Sequence, residues 1–388
     1  MKGIDAIMKN KTDVAIIGAG VTGLSIAYEL YRKGMRDITL FDMRFPGYGA
    51  TGRCGAGVRA QWGLEMNCRL TKHSIQRFTT LSDELGTDIE FRQGGYLVLV
   101  EKEEQLKQIS KNVKLQNSLG IPSRIIDKQE ALQIVPQLNL DYFVDAVFCP
   151  TDGHANPLLT VWAYYNFLKN NGVKFYNNTK VTDILTDKGK ITSVKTNKGE
   201  IFHTNTVVNC AGGWSQNVAE MVGIKLPLRS ERHQIFVTEP VGHLFDPMVI
   251  SFKTGLYIQQ VPHGSVLTGI GESDAPEMDM SASWQFLRTM AVQIQNVLPS
   301  LTELNIVRQW SGMYNKSPDA QPILGPISEL QGFYLSCGFS GHGFMVAPVV
   351  GEIISAMITD YTPPFDATPL SLKRFDTGEL IREPSVIG

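Results

Sequence analysis

The sequence predicts a mixed α/β chain, α+β overall, in which a parallel-sheet domain is interleaved with a second domain built on an antiparallel sheet. Three observations predict it. A strand, a glycine turn, a helix and a second strand follow one another within residues 13–42. The strand–glycine–helix arrangement returns at 206–223 and at 332–358. Between these two, the runs 232–240, 255–262 and 265–271 read as antiparallel strands. Because the glycine-bearing passages lie at both ends and in the middle, the two domains must exchange segments. The expected division is 12–90, 145–225 and 325–370 for the first, 91–144 and 226–324 for the second, and 371–388 as a C-terminal tail.

Taken in order, residues 13–17 (DVAII) are apolar and too few for a helix. After the turn GAGVTG at 18–23, Leu24, Ala27, Tyr28 and Leu30 recur at helical spacing up to a stop at Gly34. The run 38–42 (ITLFD) is again strand-like, which completes a parallel βαβ unit. Residues 47–63 are too rich in glycine for a regular element. A polar helix is expected over 64–85, a strand over 91–100, and over 101–116 a charged helix with a solvated face. A helix at 158–171 precedes strands in VKFYNN and in 191–210, and 283–298 reads as a helix. The last helix, 341–358, has an apolar face marked by Val346, Val349, Val350, Ile353, Ile354 and Met357.

At roughly 150 residues per domain, 388 residues suggest two or three domains. The 36 basic and 38 acidic residues leave a net charge of −2, which argues against a general nucleic-acid binder. No apolar run reaches the length of a membrane span. The start, MKGIDAIMKNKTD, lacks the apolar core of a signal peptide. Five scattered cysteines without a Cys-x-x-Cys pair exclude a disulfide framework and a zinc or iron–sulfur site. The expectation is a cytoplasmic protein without a metal, with peripheral association with a membrane through an electron acceptor as the alternative.

Gly18, Gly20 and Gly23 stand in G-x-G-x-x-G spacing. The first lets the chain turn out of the strand, the second lets a pyrophosphate approach the backbone, and the third lets helix and strand pack closely. The helix start then offers free N–H groups and a positive dipole end to phosphate. Asp42 lies 19 residues beyond Gly23 and can accept hydrogen bonds from both ribose hydroxyls of an adenosine. This is a Rossmann-like dinucleotide site for FAD or NAD. Flavin is favoured by the loop TGRCGAG (51–57), by the break Ala211–Gly212–Gly213 after a strand, and by the glycine-rich turn before the last helix, whose dipole suits the edge of a flavin that gains negative charge on reduction.

These motifs together resemble the D-amino-acid oxidase type of FAD-dependent oxidoreductases. DVAIIGAGVTGLSIAYEL, the 50–60 loop, VVNCAGGWS, WSGMYNKSPDAQPILGP and GFSGHGFMVAPVVGEII run in family order along the whole chain. Within that group the chain is most similar to the β subunits of heteromeric sarcosine oxidase and L-proline dehydrogenase. The resemblance implies FAD contacts at Gly18, Gly20, Val21, Gly23, Asp42, Met43, Thr51, Arg53, Cys54, Gly55, Val181, Ala211, Gly212 and Trp214. It implies others at Gly338, Gly341, His342, Gly343, Phe344 and Met345.

The resemblance also implies the reaction: a hydride passes from the carbon next to nitrogen to flavin N5, and an imine results. A carboxylate substrate needs a cationic clamp, for which Arg59 is the first candidate. A structural role, or a flavin contact, is as plausible for Arg59 and Arg53. Tyr257 matches a strand position that faces substrate in related oxidases, with core packing as the alternative. His342 either bonds the flavin rim or is a structural turn residue.

Three departures from the family pattern stand out. Met345 follows GHGF, and Leu267 lies in VLTG, where monomeric sarcosine oxidases carry Lys; Tyr314 stands where glycine oxidases carry Arg. The loss of a cation near N5 points to a dehydrogenase, not an efficient oxidase; the resemblance implies that it acts on a secondary amino acid such as L-proline or sarcosine, as the catalytic β subunit of a complex. The partner is then an α subunit or another electron acceptor, with FMN at the subunit interface as one option. A stand-alone glycine, sarcosine or D-amino-acid oxidase, or an opine oxidase subunit, is the alternative. Residues 308–320 hold no cysteine, so FAD is expected to be non-covalent.

Overall fold

A computed structural model describes residues 10–271 and 278–384. The leaderless reading of the N-terminus concerns, in part, residues 1–9, which lie outside the described residues. In chain order the elements are β1 (Val14–Ile17), α1 (Val21–Arg32), β2 (Ile38–Phe41), β3 (Gly57–Val58), α2 (Glu65–Leu85), β4 (Tyr96–Val100), α3 (Glu103–Ser118), β5 (Arg124–Ile126), α4 (Lys128–Ile134) and β6 (Asp145–Cys149). There follow β7 (Gly153–His154), α5 (Pro157–Asn170), β8 (Lys174–Tyr176), β9 (Val181–Asp187), β10 (Lys190–Thr196), β11 (Ile201–His203), β12 (Val207–Asn209), α6 (Ser215–Glu220) and β13 (Arg229–Pro240). The rest are β14 (Met248–Ser251), β15 (Tyr257–Gln260), β16 (Ser265–Gly271), α7 (Trp284–Val297), β17 (Ile306–Lys316), β18 (Ile323–Pro326), β19 (Phe333–Cys337), α8 (Gly343–Ile358) and α9 (Arg374–Thr377).

The expected architecture is present. One sheet has the order β18-β19-β12-β1-β2-β8 and is parallel except for β18. All four residues of β1 are buried, as a central strand covered on both faces requires. Helix α8 is buried on nearly every side and packs on α1 so closely that a Cβ at Gly351 would lie 2.2 Å from Ser25 Oγ. The second sheet has the order β17-β13-β16-β15-β14-β4-β6-β5 and is antiparallel except where β14 runs parallel to β4. Its core is a cluster that includes Leu97, Val249, Phe236, Phe286 and Ile294, with α4 and α7 against it.

Several elements differ from the sequence reading. The strand over 145–149, assigned above to the first domain, pairs with β4 in the second sheet. The expected strand 91–100 is regular only over Tyr96–Val100. Strands β5, β9, β14 and β17 escaped the pattern; β14 and β17 are held by ladders to partners far away in sequence, β5 pairs with β6, and β9 forms a tight hairpin with β10. Helix α3 is not merely solvated: Ile109, Asn112, Val113 and Gln116 are buried along one stripe. Of the tail expected over 371–388, residues 371–384 are described and include the short helix α9; 385–388 lie outside the described residues. Arg374 forms a two-pronged ion pair with buried Asp319, Nε to Oδ2 at 2.8 Å and Nη2 to Oδ1 at 3.0 Å.

Candidate active site

A cavity of about 350 Å³ runs from the C-terminal ends of β1, β2 and β12 to the face of the second sheet. At its first end Gly18 turns with φ +106°, and a Cβ there would come within 2.3 Å of the Cys210 carbonyl oxygen. A Cβ at Gly23 would meet the Gly18 carbonyl oxygen at 2.1 Å. At Gly20 it would meet only Thr51 Oγ1, at 3.2 Å, so the side facing the cavity is open. Gly20 is the N-cap of α1 and supplies no side-chain cap; Thr51 Oγ1 accepts from the Val21 N–H at 3.1 Å, and the first turn holds no acid. The helix therefore presents its positive end to the cavity without a competing anion. Asp42 is held by the Ala19 N–H at 2.9 Å and the Arg44 N–H at 2.8 Å; burial nevertheless raises its pKa.

Among the expected cofactor residues, Gly18, Gly20, Val21, Asp42, Met43, Thr51, Arg53, Cys54, Val181, Ala211, Gly212, Trp214, Gly341, Gly343 and Phe344 line this cavity. Gly23, Gly55, Gly338, His342 and Met345 do not. Gly23 closes the turn from behind. Gly55 sits under the Tyr257 ring, where a Cβ would be 2.9 Å from Cε2. Gly338 packs on Leu228. Met345 is buried, and its carbonyl accepts from Ser74 Oγ. His342 caps α8 and turns its ring edge-on to Trp62, 4.6 Å between centroids. Arg53 donates to the carbonyls of Tyr48 (3.0 Å) and Ser311 (3.1 Å), so its guanidinium ties the 47–55 loop to β17.

The opposite wall comes from Tyr257 on β15, His233 and Ile235 on β13, and Gly312–Asn315 on β17. Sequence reasoning missed His233. It is 5% exposed, and neither ring nitrogen has a hydrogen-bond partner. It lies flat on Tyr314, and both its cross-strand neighbours, Gly271 and Gly312, lack side chains. Burial, then the charges of Lys316 and His342, push its pKa down to about 3, so the ring is neutral. No local motif marks it; only the pairing of three strands reveals it.

Arg59 is 2% exposed and lies behind the cavity lining. Nη1 donates to the Gln61 carbonyl at 2.9 Å, the guanidinium stacks 3.9 Å from the Trp62 ring, and Nη2 has no partner. Leaving a buried donor unpaired costs about 1–3 kcal/mol. Burial lowers its pKa, while Tyr96, Glu383, Asp152 and Tyr314 act in the other direction. Two thiols, Cys54 and Cys210, reach the cavity. Burial pushes the Cys54 pKa up to about 12 and raises that of Cys210.

Residues 13–357 match the family model described as FAD dependent oxidoreductase. The chain belongs to this family of FAD-dependent oxidoreductases. A solved structure of L-proline dehydrogenase from P. horikoshii is 38% identical, covers 96% of this chain and 100% of its own, and superposes with a TM-score of 0.91. The β subunit of sarcosine oxidase from Rhodobacter capsulatus is 26% identical over 385 residues, 98% of this chain and 92% of that one. Glycine oxidase from Geobacillus kaustophilus shares the fold, with a TM-score of 0.87 at 24% identity over 94% of this chain and 99% of that one. The chain is thus an FAD-dependent enzyme whose relatives are amino-acid oxidases and dehydrogenases. Among the described residues, no helix is long and apolar enough to cross a membrane.

The site fits FAD on its own geometry. The open approach at Gly20, the acid-free start of α1 and Asp42 suit a diphosphate and a ribose. The start of α8 and the Ala211–Gly213 break border the same cavity, the break beside Gly18.

Proposed function

We propose that this enzyme dehydrogenates a secondary amino acid of the L-proline or sarcosine type, as the catalytic β subunit of a heteromeric dehydrogenase. The likeness to L-proline dehydrogenase over essentially both full chains carries this reading. FAD, when bound, accepts a hydride from the carbon next to nitrogen. The protein's own residues bind and orient. Tyr257 and Tyr314 form an aromatic wall that excludes water. Arg59 offers its unpaired Nη2 to a carboxylate. His233, which stays neutral at physiological pH, receives an N–H from the amine. The first sheet is then the cofactor-binding part and the second the substrate-binding part.

Leu267 stands beside Tyr257 and Gly55 where monomeric sarcosine oxidases carry Lys. An aliphatic side chain gives no support to negative charge on reduced oxygen, which favours transfer to a partner over transfer to O2. The partner is an α subunit or another electron acceptor, and FMN at their interface is one carrier. FAD is non-covalent, because the thiols at the cavity stay protonated and poor nucleophiles. Anaerobic addition of L-proline, sarcosine, glycine and opines to the holoenzyme tests the reading. Bleaching by a secondary amino acid with slow reoxidation in air supports it. Bleaching by glycine alone, or reoxidation at turnover speed, overturns it.

A further inference from the structure

The end of the chain returns to the start of α2, beside Arg59. Leu64 is the N-cap of α2 and supplies no side-chain cap of its own. Glu383 caps the helix instead. Its Oε1 accepts from the Gly63 N–H at 2.7 Å, and its Oε2 from the Leu64 N–H at 3.1 Å and from Asn67 Nδ2 at 2.8 Å. A carboxylate suits this place because a helix start has orphan N–H groups and a positive dipole end. Gly63 makes room for the strap: a Cβ there would lie 2.4 Å from Pro384 Cγ and 2.8 Å from Glu383 Oε1. The strap is anchored in turn by the Arg374–Asp319 pair, and Asp319 Oδ2 also accepts from the Ile381 N–H at 3.2 Å.

The segment that Glu383 pins, residues 59–63, is the one that carries Arg59. Its other supports are Asp152, which accepts from the Ala60 N–H at 2.9 Å, and Gln116 Nε2, which donates to the Trp62 carbonyl at 2.8 Å. All these bonds hold the backbone of the segment and leave Arg59 Nη2 unpaired. A buried guanidinium on a loose loop would turn to find an acceptor. A loop fixed at both ends prevents that turn and keeps the donor available. The Glu383 charge is also among those that favour the protonated guanidinium against burial.

We propose that Glu383 is a positioning residue: the C-terminal strap holds Arg59 in place to bind a substrate carboxylate. The proposal rests on the reading of Arg59 above and extends it to a residue more than 300 positions away.

The test compares L-proline with pyrrolidine, the same ring without the carboxylate, by the concentration dependence of anaerobic flavin reduction after rapid mixing with the full-length holoenzyme, which gives an apparent dissociation constant for each. Glu383→Gln should raise the dissociation constant for L-proline roughly tenfold and leave that for pyrrolidine within about twofold. Glu383→Asp should recover most of the loss. Gly63→Ala, which pushes the strap away without touching any charge, should repeat the Gln phenotype. It also serves as the second route should Glu383→Gln fold poorly. Equal weakening of both ligands, or no change in either, overturns the role of the strap. Arg59→Ala separates the two levels. If it abolishes the preference for L-proline while Glu383→Gln and Gly63→Ala keep it, only the strap proposal falls. If Arg59→Ala leaves the preference intact, the clamp reading and the strap fall together.

Discussion

The two ends of the cavity are built differently. At the glycine end, the groups that shape the site are backbone atoms from one stretch of chain. Gly18, Gly20 and Gly23 share one turn, and Asp42 is already bonded to backbone N–H groups. At the other end, Tyr257, His233 and Tyr314 come from three strands of the second sheet, and Arg59 from a loop that a fourth region, the C-terminal strap, holds down. That end also presents buried polar atoms with no partner: both His233 ring nitrogens in the lining and, just behind it, Arg59 Nη2. The first end offers backbone N–H groups at the open start of α1. The second carries unmet hydrogen-bonding capacity, the state expected of a site whose partner is a ligand.

The largest expected effect lies at the glycine end. Gly23→Ala drives a methyl to 2.1 Å from a carbonyl oxygen that cannot yield. The purified protein should carry no flavin, read as the absence of absorbance near the flavin maximum, or it should fail to accumulate. A yellow Gly23→Ala protein with normal flavin content would show that this turn is softer than its contacts indicate.

At the other end Arg59→Ala should keep its flavin and lose affinity for carboxylate substrates by roughly 30-fold, the value of one charge-assisted hydrogen bond of about 2 kcal/mol. An unchanged affinity would remove the central distinction between the two ends.

His233→Leu sharpens it further. Removing a buried imidazole with two unpartnered nitrogens should stabilise the substrate-free protein, by about 1–2 kcal/mol, while weakening amine binding. Denaturant melts of the paired proteins check the sign. Destabilisation would mean that the ring is part of the packing rather than of the site.

A further effect is a slope with pH. His154, on β7 opposite Gly57 beneath the Arg59 loop, is pushed down to about 4, by burial first and by Arg92 second. Its folded-state pKa lies below the unfolded value near 6.5, so the unfolded chain takes the proton first. The neutral ring contributes stability that is present above pH 6.5 and is lost as pH falls toward 4, up to roughly 3 kcal/mol. His154→Gln should flatten that part of the stability profile; a profile identical to that of the parent would place the acid sensitivity elsewhere.

Legibility follows the same division. The glycine turn, Asp42 and the helices after each glycine break were readable because spacing along one segment states their job. His233 was not, because nothing near it in sequence tells that Gly271 and Gly312 will flank it. Arg53 and His342 show the converse. Both stand in motifs that point to the flavin; Arg53 lines the cavity while its guanidinium bonds two carbonyls of the scaffold, and His342 is turned toward Trp62.

By itself the sequence determined the βαβ start, the interleaving of two domains and the chemistry class, since each depends on local backbone conformation or on motifs in order. Tertiary structure alone decided which side chains face the substrate end and which remain unpaired there. The strand register of β13, β16 and β17 and the return of Glu383 to Gly63 are long-range events. Their stabilising contacts form only once both partners are folded, so neither partner announces them in its own segment.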